Sequence, residues 1–314
     1  MRFIARFAMR GPLFAGGLAA LAQLASLSVG LMIIVSGAIV ALVTLRHGSR
    51  EGLRVMALAT ALVVALRIGL GGEALPMVIL CLVTWMPSWL LAINLGRNRQ
   101  QALPLMMIAV LVSTYAVAIR IAVGDVTAFW FMRLQPLFEV LTADSATRLS
   151  DAQIGLVAAQ LHGWSLIAMF CVLAAIFLLA RWWQSVLFNP GGFGSEFREL
   201  RLPKVAVLAA GAIALALVVQ TLTGAGLVVI GDVFVVVVVL FAFQGLAVIH
   251  FRARAVSLAS GWLTGLYVLL MLTPQIVGPI LATTGVADGL ADFRRLRAAR
   301  QRPADGDNDG SEND

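Results

Sequence analysis

Val228 to His250 reads VVIGDVFVVVVVLFAFQGLAVIH, with the unbroken apolar run Val233–Leu240 at its centre. A helix needs about 20 consecutive apolar residues to cross the hydrocarbon core of a bilayer. This stretch has that length, with one acid near its start, Asp232, and one imidazole at its end, His250. It reads as a membrane span, and the rest of the chain is of the same kind. Of 314 residues, 61% are apolar and only 12% charged, against about 25% charged in soluble domains; mean hydropathy is +0.95. The sequence predicts an all-α, polytopic integral membrane helical bundle.

The same length criterion parses the chain outward from that span. Spans are predicted at about 52–70, 75–95, 102–122, 162–183, 204–222 and 228–250. Residues 12–45 are too long for one straight span and are interrupted by Ser26, Ser28 and Gly30, so two shorter helices, 12–26 and 29–45, are expected. Residues 256–290 are also too long, and Thr273-Pro274 in their middle disfavours an unbroken helix, so a final short pair is expected there. The count is about ten segments, or eight to nine if either long run is a single helix. The basic, apolar N-terminus imitates a signal peptide, but its apolar run continues to Thr44 and reads as a retained membrane helix. Residues 1–300 are expected to form one helical membrane domain. Within it, 123–160 should be an amphipathic segment on the outer surface and 184–203 a cytoplasmic loop. Residues 301–314 read as a disordered acidic tail.

Charge sets the orientation. Arg2, Arg6 and Arg10, then Arg46, Arg50 and Arg54, Arg97 and Arg99, Arg181 to Lys204, and Arg252 with Arg254 all fall on one side. The opposite side holds Glu73 and the 123–160 stretch, where Asp125, Glu139, Asp144 and Asp151 outnumber Arg133 and Arg148. The positive-inside bias then puts both termini in the cytoplasm. The net charge of +7 is spent on this bias, and no nucleic-acid partner is implied; the bilayer is the expected partner. Small residues at Ala15 and Ala19 of the first helix allow close helix approach, so a second membrane protein is a candidate partner there. The two cysteines, Cys81 and Cys171, lie inside apolar runs without metal-type spacing. No P-loop, HExxH or GxSxG occurs, so the chain reads as a non-enzyme with no cofactor, no metal and no catalytic residues.

Ionisable groups inside membrane spans are costly and so mark candidate sites. Arg67, Arg120 and Asp232 fall near the outer ends of their spans and are expected to line an outward pocket for a small polar or charged solute. The competing arrangement pairs Arg67 with Glu73 and Arg120 with Asp125 at the interface. Gln244 needs a partner within the bundle, because an unsatisfied amide in lipid is expensive. The stretch Phe188–Lys204, FNPGGFGSEFRELRLPK, is the most turn-rich passage between two apolar runs. Asn189, Pro190, Gly191, Gly192, Phe193, Glu196 and Arg198 are expected to shape a cytoplasmic coupling or docking element. Gln244, His250, Asp288 and Arg294 are its expected neighbours. Two functions follow: a solute-binding or transport subunit, or a non-transporting scaffold or assembly factor acting through this loop and the C-terminus.

Three passages carry a resemblance. They are Asn189-Pro190-Gly191-Gly192-Phe193 with Glu196-Phe197, then Phe243-Gln244-Gly245-Leu246-Ala247 ending in His250, then Gly285-Val286-Ala287-Asp288 leading to Phe293-Arg294. In these the chain resembles the YybS-like family of bacterial multi-pass membrane proteins, a domain of unknown function, over roughly residues 10–297. The resemblance implies a bacterial inner-membrane location. It also implies a general likeness to the smaller, usually six-span substrate-binding subunits of energy-coupling-factor transporters.

Overall fold

The structure is a computed structural model that describes residues 2–98, 101–141, 149–224, 226 and 228–291. Arg294, the basic cluster that follows it and the 301–314 tail lie outside the described residues. Among the described residues the chain is all-helical, with thirteen helices. In chain order they are α1 (Arg2–Ala8), α2 (Pro12–Ala25), α3 (Met32–His47), α4 (Ser49–Gly69), α5 (Ala74–Asn98), α6 (Ala102–Val123) and α7 (Val126–Leu141). Then follow α8 (Asp151–Phe188), α9 (Gly192–Arg198), α10 (Lys204–Thr223), α11 (Val228–Ala255), α12 (Ser260–Leu272) and α13 (Pro274–Ala291).

Six of these helices, α4, α5, α6, α8, α10 and α11, are long and apolar enough to cross a membrane. The two long runs are split as expected. α2 and α3 form a short hairpin around 26–31, and Thr273 breaks the last pair with a non-helical φ of −135° before Pro274. The chain is therefore a multi-pass helical membrane bundle, with large apolar side chains such as Leu208, Leu222 and Ile121 facing outward.

α8 departs from expectation. The predicted span 162–183 and the end of the predicted surface segment are one helix of 38 residues, about 57 Å long and nearly twice the ~30 Å hydrocarbon core. Its start is set by a capping box. Ser150 Oγ accepts from Gln153 N–H, and the Gln153 side chain accepts from Ser150 N–H at 2.9 Å. Only α7 remains as a separate amphipathic element, packed along the first turns of α8. The expected cytoplasmic loop is likewise largely helical: 184–188 complete α8, and 192–198 form α9.

Three apolar clusters make the core: one gathers α1 to α5 with α8, a second joins α5, α6, α8, α10, α11 and α13, and a small third holds Leu246, Val277 and Leu281 between α11 and α13. Ala15 and Ala19, the expected face for a membrane partner, are fully buried inside the first cluster. Ser36 Oγ donates to the Ala19 carbonyl at 2.8 Å, and a Cβ on Gly16 would sit 3.2 Å from Leu58 Cβ. The small residues of α2 thus serve internal packing against α3 and α4.

The tightest packing joins α11 to α13. A Cβ on Gly245 would overlap the Leu281 carbonyl, and one on Gly285 would overlap the Phe241 carbonyl. Gly245 and Gly285 thus mark the closest approach of α11 and α13, each against the backbone of the other helix. Glycines here let the backbones touch, which is how helices associate where lipid supplies no hydrophobic drive.

Candidate functional site: two polar centres at opposite ends of the bundle

α6 with its N-cap and α8 each place polar residues nineteen positions apart: Gln101, the N-cap, to Arg120, and His162 to Arg181. At 1.5 Å per residue each interval is about 28 Å, close to the ~30 Å thickness of the hydrocarbon core. The polar groups therefore collect in two centres, one at each end of the bundle.

At the first end, Arg120 in the last turn of α6 donates through Nε to Asp232 Oδ2 on the first turns of α11. His162 of α8 stands on the other side of the same carboxylate, with Nε2 3.3 Å from Oδ2. That distance suits charge attraction, but the geometry is off the line of a hydrogen bond, and Nδ1 has no hydrogen-bond partner among the described residues. The side chains of Arg120, Asp232 and His162 are 22%, 11% and 6% exposed. A carboxylate buried this far is tolerable only with its countercharge beside it. The trio borders a cavity of about 670 Å³, within the ~300–1,000 Å³ of small-molecule pockets. Asp125, Thr127 and Gln160 add further polar lining.

The sequence brought Arg120 and Asp232 to one site; Arg67 is elsewhere. It ends α4, which packs on α2, α3 and α5, and its guanidinium lies against Gly72, whose amide donates to the Arg67 carbonyl at 2.8 Å. Arg120 does not pair with Asp125 either. Asp125 Oδ1 accepts from the Thr127 and Ala128 amides at 2.8 and 3.0 Å and caps α7. The third member of the centre is His162, which the predicted span put at a helix boundary. Two signals pointed to it: the capping box that starts α8 at 151, and the four-residue repeat Ile154, Ala158, His162, Leu166, Phe170, Ala174, every member of which is buried.

At the second end, the three resemblance passages converge. Arg181 makes a bidentate pair with Glu196 of α9, Nη2 to Oε1 and Nε to Oε2 at 2.9 Å, and its Nη1 donates to Gln184 at 3.0 Å. Gln101 Nε2 also donates to Glu196 Oε2 at 3.3 Å. The turn between α8 and α9 is pinned by Ser185, whose hydroxyl donates to the Asn189 carbonyl and accepts from the Phe193 amide at 2.8 and 3.0 Å. Pro190 leads into Gly191, which takes φ +86°, and the Asn189 side chain covers Gly192. Arg198 closes α9 beside Gly194.

Phe197 presents its ring edge-on to His250 at 5.4 Å. His250 Nδ1 donates to the Leu246 carbonyl at 2.8 Å, so in the neutral ring Nε2 accepts from Tyr267, 3.2 Å away. Gln244, fully buried, accepts from the Leu202 amide at 3.1 Å and donates to Asp288 at 3.0 Å. This centre ties the 188–204 segment to α8, α11 and α13 through paired groups. The first centre instead opens its polar groups onto a cavity.

Gly191 tests the turn. A left-handed residue with a Cβ costs about 1 kcal/mol or more, and open space surrounds this glycine. Gly191→Val is therefore expected to lower the thermal midpoint modestly and leave membrane insertion intact. Gly192→Val, which must displace Asn189, is expected to lower it further; detergent melts of the two variants compare them.

No family model, curated protein or solved structure matches this chain.

Proposed function

We propose that this protein is a solute-binding or transport subunit of the bacterial inner membrane, with its site at Arg120, His162 and Asp232. One observation carries the reading: a buried ion pair and a buried imidazole with an unpartnered nitrogen open together onto a 670 Å³ cavity. A purely structural ion pair would be closed over by packing; this one borders a cavity. Under the positive-inside bias the cavity faces outward. The likeness to the YybS-like family, and through it to substrate-binding transporter subunits, is part of the same proposal, as is a non-enzymatic role. The site presents charge and hydrogen-bonding capacity, which suits binding a polar or charged solute.

The test is a solute screen by thermal shift on purified protein, paired with Arg120→Gln and Asp232→Asn. At least one polar or charged solute is expected to raise the wild-type midpoint, and neither variant should respond to it. Wild-type protein that responds to no solute, together with unchanged growth and uptake in both variants, would sink the reading.

A second reading, a scaffold or assembly factor, is favoured by the folded 188–204 segment with its exposed Phe188. Crosslinking from position 188 in intact membranes is expected to capture one defined partner if that reading holds, and none if it does not.

A further inference from the structure

The polar cavity continues into an apolar one. A groove of about 540 Å³ between α8, α11 and α13 shares three wall residues with it, Trp164, Ile167 and Val235. The groove follows α11 from Phe234 to Leu246, twelve positions or about 18 Å. One leaflet of a bilayer core is about 15 Å deep, half of the whole. The groove thus starts beside Asp232 and runs for one leaflet depth, as an acyl chain does below its headgroup. Its mouth at the polar cavity carries one cation, Arg120, and two carboxylates, Asp125 and Asp232. A bare anion would meet both acids and a bare cation would meet the arginine. A zwitterionic head offers a phosphate to the guanidinium and an ammonium to the carboxylates.

We propose that the solute is an amphiphile of the aminophospholipid class, its phosphoethanolamine head in the Arg120–Asp232–His162 cavity and one acyl chain in the groove along α11 and α13. This rests on the reading of the polar cavity as a binding site and names what enters it. Gly278 lines the groove and Gly231 the polar cavity, and a Cβ at either position meets nothing within 4 Å. Leucine at either place therefore fills a compartment without disturbing helix packing.

The experiment is native mass spectrometry of the full-length protein in detergent. The probes are dioleoyl phosphatidylethanolamine, dioleoyl phosphatidylglycerol and the water-soluble head alone, glycerophosphoethanolamine. One phosphatidylethanolamine is expected to be retained about tenfold more tightly than phosphatidylglycerol. Gly278→Leu and Gly231→Leu are each expected to cut that retention by about tenfold, with melting midpoints near wild type. Equal retention of both lipids, unchanged in both variants, identifies lipid bound unspecifically around the protein and overturns the proposal. Glycerophosphoethanolamine binding that is as tight in Gly278→Leu as in wild type removes the acyl chain from the site while leaving the polar binding site standing. Preference for phosphatidylglycerol overturns the zwitterionic head.

Discussion

Gly245→Leu is expected to prevent α11 and α13 from pairing, with loss of most folded protein in a detergent melt or a size-exclusion profile. The added Cβ would occupy the position of the Leu281 carbonyl, and a backbone atom cannot move aside as a side-chain end can. Overpacking against side chains costs about 1–3 kcal/mol; here a whole helix must shift, and the expected cost is above that range. Gly285→Leu should act equally, since its Cβ meets the Phe241 carbonyl, and the two substitutions together should cost little more than one, because both break the same contact. Gly265→Leu, where a Cβ meets nothing within 4 Å, is the control and is expected to melt like wild type. Equal melts for Gly245→Leu and Gly265→Leu would show that this backbone contact is absent.

The second large effect is expected at Arg181. Glu196→Leu leaves a guanidinium that is only 10% exposed with Gln184 as its remaining hydrogen-bonded partner among those described above. Breaking a buried ion pair from one side costs about 3–5 kcal/mol, and the low end applies because Glu196 itself is 28% exposed. The double variant Arg181→Met, Glu196→Leu removes both charges and is expected to recover most of the loss, since an apolar replacement of a buried pair is often neutral. A double-mutant cycle on melting free energies reads this directly. If Arg181→Met with Glu196→Leu is as unstable as the sum of the single variants, the two side chains are not coupled. Crosslinking from 188 in Glu196→Leu should also weaken if the 188–204 segment docks a partner, because α9 is then no longer held against α8.

Gln244 illustrates how far residue types can carry a prediction and where they stop. That it needed a partner followed from the cost of a bare amide in an apolar medium. Which partners it found, the Leu202 amide and Asp288, depended on α13 packing against α11 and on the segment after α9 folding back against them. No local pattern states that.

The apolar runs, their lengths and the proline at 274 determined the helices, because a bilayer accepts little else and because the twenty-residue requirement is a local property. The split hairpins, Arg120 and Asp232 as members of a candidate group with Arg67, and the distinct character of 188–204 were legible for the same reason: each is costly where it stands. His162 was hidden by the length of α8, which only the capping box at Ser150 betrayed. Arg67 looked equivalent to Arg120 because both sit near a helix end. Only the packing of α4 on α2, α3 and α5, and of α6 on α11, separates them. Helix composition reports depth in the membrane, but lateral neighbours are set by which faces interlock. Choices of that kind, the packing of α11 on α6 and of the buried stripe of α8 on both, bring Arg120, His162 and Asp232 around one cavity.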